Sequence, residues 1–161
     1  MVLDKYSPEQ IEQGLWWILC ESLFDCGEAL FNAAVDFDLR RQCIESMYHV
    51  YSAVVAKMDG DATDSVYWMW WDFIGHVCTS RELDRLSPDW QQTTAVIIRT
   101  LAKILDLPHR GCQWSALHGL GHLDGHPEAR EVVQHYLDAH GEELSDDDRK
   151  WVEACREGRV L

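Results

Sequence analysis

The sequence predicts an all-α fold of six to eight helices arranged as antiparallel hairpins. Three observations carry this. Apolar residues recur every three or four positions along most of the chain, and no window alternates with the period of two that a strand requires. Helix-start chemistry recurs at Ser7-Pro8, at Ser87-Pro88 and at Ser145-x-x-Asp148. The connections between periodic stretches are short, which places consecutive helices side by side and antiparallel. At 161 residues, one domain spanning 1–161 is expected. A chain of that length buries about two thirds of its unfolded surface, so it needs no disulfide or metal staple.

The first helix starts at Ser7. Ser7 caps, Pro8 suits the first helical position, and Gln10 completes a capping box. Ile11, Leu15, Ile18, Ser22 and Cys26 follow at helical spacing. Trp16 and Trp17 extend the apolar surface past half the girth, which implies burial from two sides. Gly27 is placed to divide this stretch into a long and a short helix. Asp38 is the expected cap of the next helix, whose stripe is Ile44, Met47, Tyr48, Tyr51, Val54, Val55 and Met58, with Gly60 at its end.

A third helix is expected over 64–78 and contains YWMWWDFIGH, the densest aromatic patch of the chain. Trp68 and Trp71 share a face, whereas Trp70 lies roughly 160° from Trp68 on a helical wheel. At least one of these rings must therefore meet another layer, a partner or water. Ser87-Pro88 opens a helix with the stripe Trp90, Thr94, Ile97, Leu101 and Ile104, which ends before Pro108. A helix over 111–123 follows, closed by Gly125. Pro127 opens the next, with Val132, Val133, Tyr136 and Leu137 facing inward. The last helix carries Trp151, Val152 and Cys155.

The stretch 115–123, SALHGLGHL, followed by HPEAREVVQHYL, resembles bacterial HEAT-like helical-repeat proteins. A helix of small residues, a His-Pro break and an amphipathic helix carry the resemblance. It implies a short α-solenoid of stacked helical hairpins and a role in protein interaction, with no shared active site. The Trp-rich first half departs from the usual repeat.

Composition narrows the function. The formal charge is −14, from 28 acids against 14 bases. A field of that sign repels phosphate backbones, so no nucleic-acid partner is expected. The longest apolar run, 15–20, cannot span a bilayer, so no membrane association is expected. There is no secretory leader pattern at the start. The six cysteines show no CxxC spacing, and a cytoplasmic location with reduced thiols is the default.

Four groups of residues are candidates for function. His118 and His122 stand at i, i+4, the spacing that lets two imidazoles share a metal, and His126 lies one turn further on. The helix-borne zinc-peptidase motif has Glu directly after its first His to serve as base. That position here is Gly119, so the peptidase reading fails, although Asp124 or Cys112 could complete a metal site. The plainer reading is that these histidines hydrogen-bond backbone or carboxylates. Gly119 and Gly121 face opposite sides of their helix, and each costs up to about 1 kcal/mol relative to Ala. A neighbouring helix on one side and a ligand or partner backbone on the other would compensate. Trp68, Trp70 and Trp71 form either core or a partner-binding hot spot. Glu142, Glu143, Asp146 and Asp147, with Asp148, cap a helix electrostatically or dock a basic partner.

Cys78 with His76, and Cys112 with His109, are neighbours in sequence, but no Gly-rich turn presents either thiol. No nucleotide-binding or calcium-binding fingerprint is present, and no cofactor is called for. The leading expectation is a non-enzymatic interaction module for a protein partner, a basic one on charge. The alternatives are a metal-binding helical protein using His118 and His122, and an acidic immunity or inhibitor protein holding a basic toxin or nuclease.

Overall fold

The computed structural model of the chain describes residues 4–19, 26–58, 69–72, 74, 87–123 and 126–160. Seven α-helices lie among them: α1 (Pro8–Leu19), α2 (Cys26–Leu30), α3 (Phe37–Ala53), α4 (Pro88–Leu105), α5 (Arg110–Gly121), α6 (Pro127–His140) and α7 (Asp146–Arg156). A 3-10 turn, Val55–Lys57, follows α3. No strand occurs among the described residues, and no helix there is long and apolar enough to cross a membrane.

The starts follow from local chemistry. The Ser7 amide donates to Gln10 Oε1 at 2.9 Å, and the Gln10 amide donates to Ser7 Oγ at 3.3 Å, a reciprocal capping box. Ser87 and Ser145 accept from the amides of Trp90 and Asp148 at 3.2 Å each. The cap of α3 is Asp36, which accepts from the Leu39 amide, and not Asp38. Asp38 lies within the first turn and pairs with Arg41. His109 caps α5, which starts at Arg110, one residue before the expected 111, and ends at Gly121 instead of 123. The first apolar stretch contains a long helix, α1, and a short one, α2, as expected; Gly27 lies inside α2, and residues 20–25 lie outside the described residues. The expected terminator Gly60, most of the expected 64–78 helix including Trp68, His76 and Cys78, and Asp124-Gly125 all lie outside the described residues.

The core sits where α3, α4 and α5 meet. α4 packs between α3 and α5, and α5 also meets α6, α7 and the 3-10 turn. Every residue of α5 except Arg110 and Gln113 is buried. That explains its two glycines. A Cβ on Gly119 would lie 2.7 Å from Trp71 Cγ and 2.9 Å from Leu101 Cδ2, and one on Gly121 would lie 2.5 Å from Val160 Cγ1. Both sides of the helix are thus filled by the chain itself, and the second side holds the segment after α7, not a ligand or partner. Gly158, at φ 71°, turns that segment back toward α5.

Two aromatic expectations are corrected. Trp70 and Trp71 are 4% and 0% exposed, so they are core residues and present no face to a partner. Trp16 and Trp17, expected between two layers, are 38% and 62% exposed, while Ile11 and Leu15 carry α1 into the core.

The adjacent residues Arg40 and Arg41 meet different surroundings, and Arg41 pairs with Asp38 and Glu45 on its own helix. Arg40 is 2% exposed and donates to both carboxylate oxygens of Asp89, to Thr93 Oγ1 and to the Leu30 and Val35 carbonyls. It ties α3 to α4 and closes the chain after α2. Arg40→Met keeps the volume and removes every donor. It is expected to cost about 2 kcal/mol, because Asp89 is accessible enough to be resolvated while the buried carbonyl and hydroxyl are not. The midpoint of urea unfolding measures this.

Candidate metal centre

The centre is built on α5. Its helical spacing puts His118 and His122 on one face, and His122, although the C-cap, keeps helical dihedrals of −70° and −9°. The two rings meet edge to face with centroids 4.5 Å apart and Nε2 atoms 3.0 Å apart. The third group comes from the aromatic patch. Trp71 lies against the bare backbone of Gly119. It stacks on Tyr51 with centroids 6.2 Å apart and planes at 19°, and the Tyr51 hydroxyl meets Ser115 Oγ at 2.6 Å. This packing fixes residue 71 on α5. The next side chain, Asp72, then places Oδ1 at 2.8 Å from His118 Nε2 and 3.2 Å from His122 Nε2.

Asp72, His118 and His122 are a group whose ligand atoms all lie within 4.8 Å of one another. His118 and His122 are 2% and 14% exposed at the side chain and Asp72 is 39%, so the cluster opens toward solvent on the carboxylate side. Burial acts to raise the Asp72 pKa, but the hydrogen bonds from His118 and His122 outweigh it and bring it down to about 2. The carboxylate therefore contributes no proton of its own at neutral pH.

Proton counting decides what this cluster wants. Each Nε2 carries at most one hydrogen. If both are protonated, both donate to Asp72 and two N–H groups confront each other across 3.0 Å. If only one is protonated, lone pairs face each other elsewhere in the triangle. No arrangement of protons turns all three contacts into hydrogen bonds at once. A cation at the convergence of three lone pairs satisfies every one of them. A point equidistant from atoms so spaced lies roughly 1.7 Å from each in their plane, and metal–ligand bonds to His and Asp run about 2.0–2.2 Å. An ion fits just out of that plane without moving the ligands far.

His126, expected with the other two histidines, is not in this group. The chain leaves α5 at Gly121, the His126 amide donates to the Leu123 carbonyl at 3.0 Å, and His126 stands at the N-cap position of α6 without a side-chain capping bond. Cys112 does not complete the centre either. It is buried with Sγ toward the Tyr51 carbonyl, and burial pushes its thiol up to about 12, which also makes it a poor nucleophile. His109 serves the Cys112 amide, not its sulfur. Glu142 and Glu143 are exposed in the turn before α7, Asp146 and Asp147 are exposed at its start, and Asp148 reaches Arg110 at 2.8 Å.

Sequence reasoning passed over Asp72, which lies 46 residues before His118. The available signal was that Asp72 is the single acid in YWMWWDFIGH. A carboxylate in so apolar a stretch needs a partner.

The centre and fold define an all-helical chain with a two-histidine, one-carboxylate cluster. Comparison of the chain with protein-family models, with curated proteins and with solved structures returns no match in any of the three.

Proposed function

We propose that this chain binds one divalent transition-metal ion through His118 Nε2, His122 Nε2 and Asp72 Oδ1. The observation that carries the reading is the mutual spacing of these atoms, 2.8, 3.0 and 3.2 Å, which three shared protons cannot satisfy and one ion can. Two imidazoles and a carboxylate suit zinc, iron, cobalt or manganese better than calcium or magnesium. The test is elemental mass spectrometry of natively purified, tag-free protein. About one equivalent of metal per chain is expected, and a folded His118→Ala/His122→Ala variant should carry none. A folded wild-type chain that holds no metal and takes up none from zinc, iron(II), cobalt(II) or manganese(II) would rule the reading out.

A second reading, a non-enzymatic interaction module built as a HEAT-like stack of hairpins, draws support from other observations. From α4 to α7 the extensive contacts join helices one or two apart in the chain, as in a stack. Tyr6, Trp16 and Trp17 are exposed together with the acidic start of α7. On this reading the partner is a protein, basic by charge complementarity, and the immunity-protein alternative differs only in naming it. Association that weakens from low to high salt is its signature.

A further inference from the structure

Resting on the metal reading above, we infer that the ion is held on one face only, with adjacent coordination positions left for water or a small anionic ligand such as azide. The spacing of the donors points there. Two ligands about 2.1 Å from a metal are about 3.0 Å apart when they subtend a right angle and about 3.4 Å apart at the tetrahedral angle. The three edges here are 2.8, 3.0 and 3.2 Å. They centre on the right-angle value, so the three donors cap one face of an octahedron, the arrangement in which two histidines and a carboxylate leave open positions.

Access agrees with geometry. His118 forms the buried floor at 2% exposure, and Asp72 forms an edge that is 39% exposed, so solvent reaches the ion past the carboxylate. Charge agrees as well. A divalent ion with one carboxylate and two neutral imidazoles keeps one positive charge, which attracts an anion, whereas the net charge of −14 on the whole chain disfavours a large one. A closed structural site has a different donor set, commonly four cysteine and histidine ligands. The described thiols nearest in sequence and fold, Cys112 and Cys155, are buried and are not in the group.

The experiment loads the full chain with cobalt(II) and follows its visible absorption during an azide titration. The expected result is the weak d–d absorption of a five- or six-coordinate ion, with bands that shift and saturate as azide binds. The bands should be absent in His118→Ala/His122→Ala, and circular dichroism should show that variant folded. Intense tetrahedral bands, or a spectrum that azide leaves unchanged, would overturn the inference while the metal reading stands. Bands that persist in the double variant would place the cobalt elsewhere and overturn it too. Failure of the folded wild-type chain to take up cobalt, zinc, iron(II) or manganese(II), measured by elemental analysis, sinks the underlying metal reading instead.

Discussion

Gly119→Leu is expected to lower stability by about 3 kcal/mol or more, at or above the upper end of overpacking costs. The Cβ alone would stand 2.7 Å from Trp71 Cγ and 2.9 Å from both Trp71 Cβ and Leu101 Cδ2. Two of those atoms are the root of the indole side chain, not a flexible tip. The ring has nowhere to retreat, since it is fully buried and stacked on Tyr51, whose hydroxyl is held by Ser115. Gly119→Ala is the sharper comparison. Helix propensity favours alanine by about 1 kcal/mol, yet the methyl meets the same three atoms, so a net loss of about 1 kcal/mol is expected. At Gly121 the two nearest atoms are the methyls of Val160, in the segment after α7, with Cys155 Cα further off at 3.3 Å, so Gly121→Ala should be milder. Each kcal/mol corresponds to roughly 2–4 °C in the melting temperature of a domain this size. Thermal melts should rank Gly119→Leu as the least stable of the three variants, Gly119→Ala next and Gly121→Ala as the most stable. A Gly119→Leu variant that melts with the wild type would show that Trp71 does not sit on the backbone of α5.

That same contact marks the limit of what the sequence discloses. Features set by a few neighbouring residues were legible. The three serine caps, the proline starts and the stripe from Trp90 to Ile104 all appear in the structure where their chemistry placed them. So did the shared face of His118 and His122. Where two residues offered the same local chemistry, as Asp36 and Asp38 do, the structure uses Asp36 as the cap, and Asp38 lies in the first turn beside Arg41. Features set by distant segments were not legible. The composition of Trp70 and Trp71 suits a core or a hot spot equally, and only their packing on Tyr51 separates the two. Arg40 is joined to Asp89, 49 residues further on, which no local rule announces, although its place four residues before Ile44 on the buried stripe was a usable sign of burial. Asp72 could not be joined to His118 by any local rule, because the union depends on Trp71, from a distant segment, meeting the bare backbone of Gly119 on α5.

Trp71→Ala therefore tests fold and site together, and its expected effect is the largest in this chain. Truncating a fully buried tryptophan typically costs 3–5 kcal/mol, and about 4 kcal/mol is expected here because the cavity lies between α3 and α5, where the tightly packed core cannot collapse. The consequence for the centre is separate from that loss. Asp72 is partly exposed and reaches the histidines from the end of the aromatic patch. With the indole gone, its segment loses the contact with Gly119, and the carboxylate spends less time within bonding distance of His118 and His122. Groups that orient a metal ligand are typically worth 10–100-fold in affinity, so cobalt(II) or zinc(II) should bind at least about tenfold more weakly to Trp71→Ala under conditions where circular dichroism shows it folded. Competition against a chromophoric chelator gives that number. Trp71→Phe, which restores an aromatic ring over Tyr51, should recover most of both losses. Asp72→Asn, by contrast, should lose the ion with little loss of fold. If folded Trp71→Ala binds metal as tightly as wild type, Asp72 is positioned by its other neighbours, and the Trp71–Gly119 contact serves stability alone.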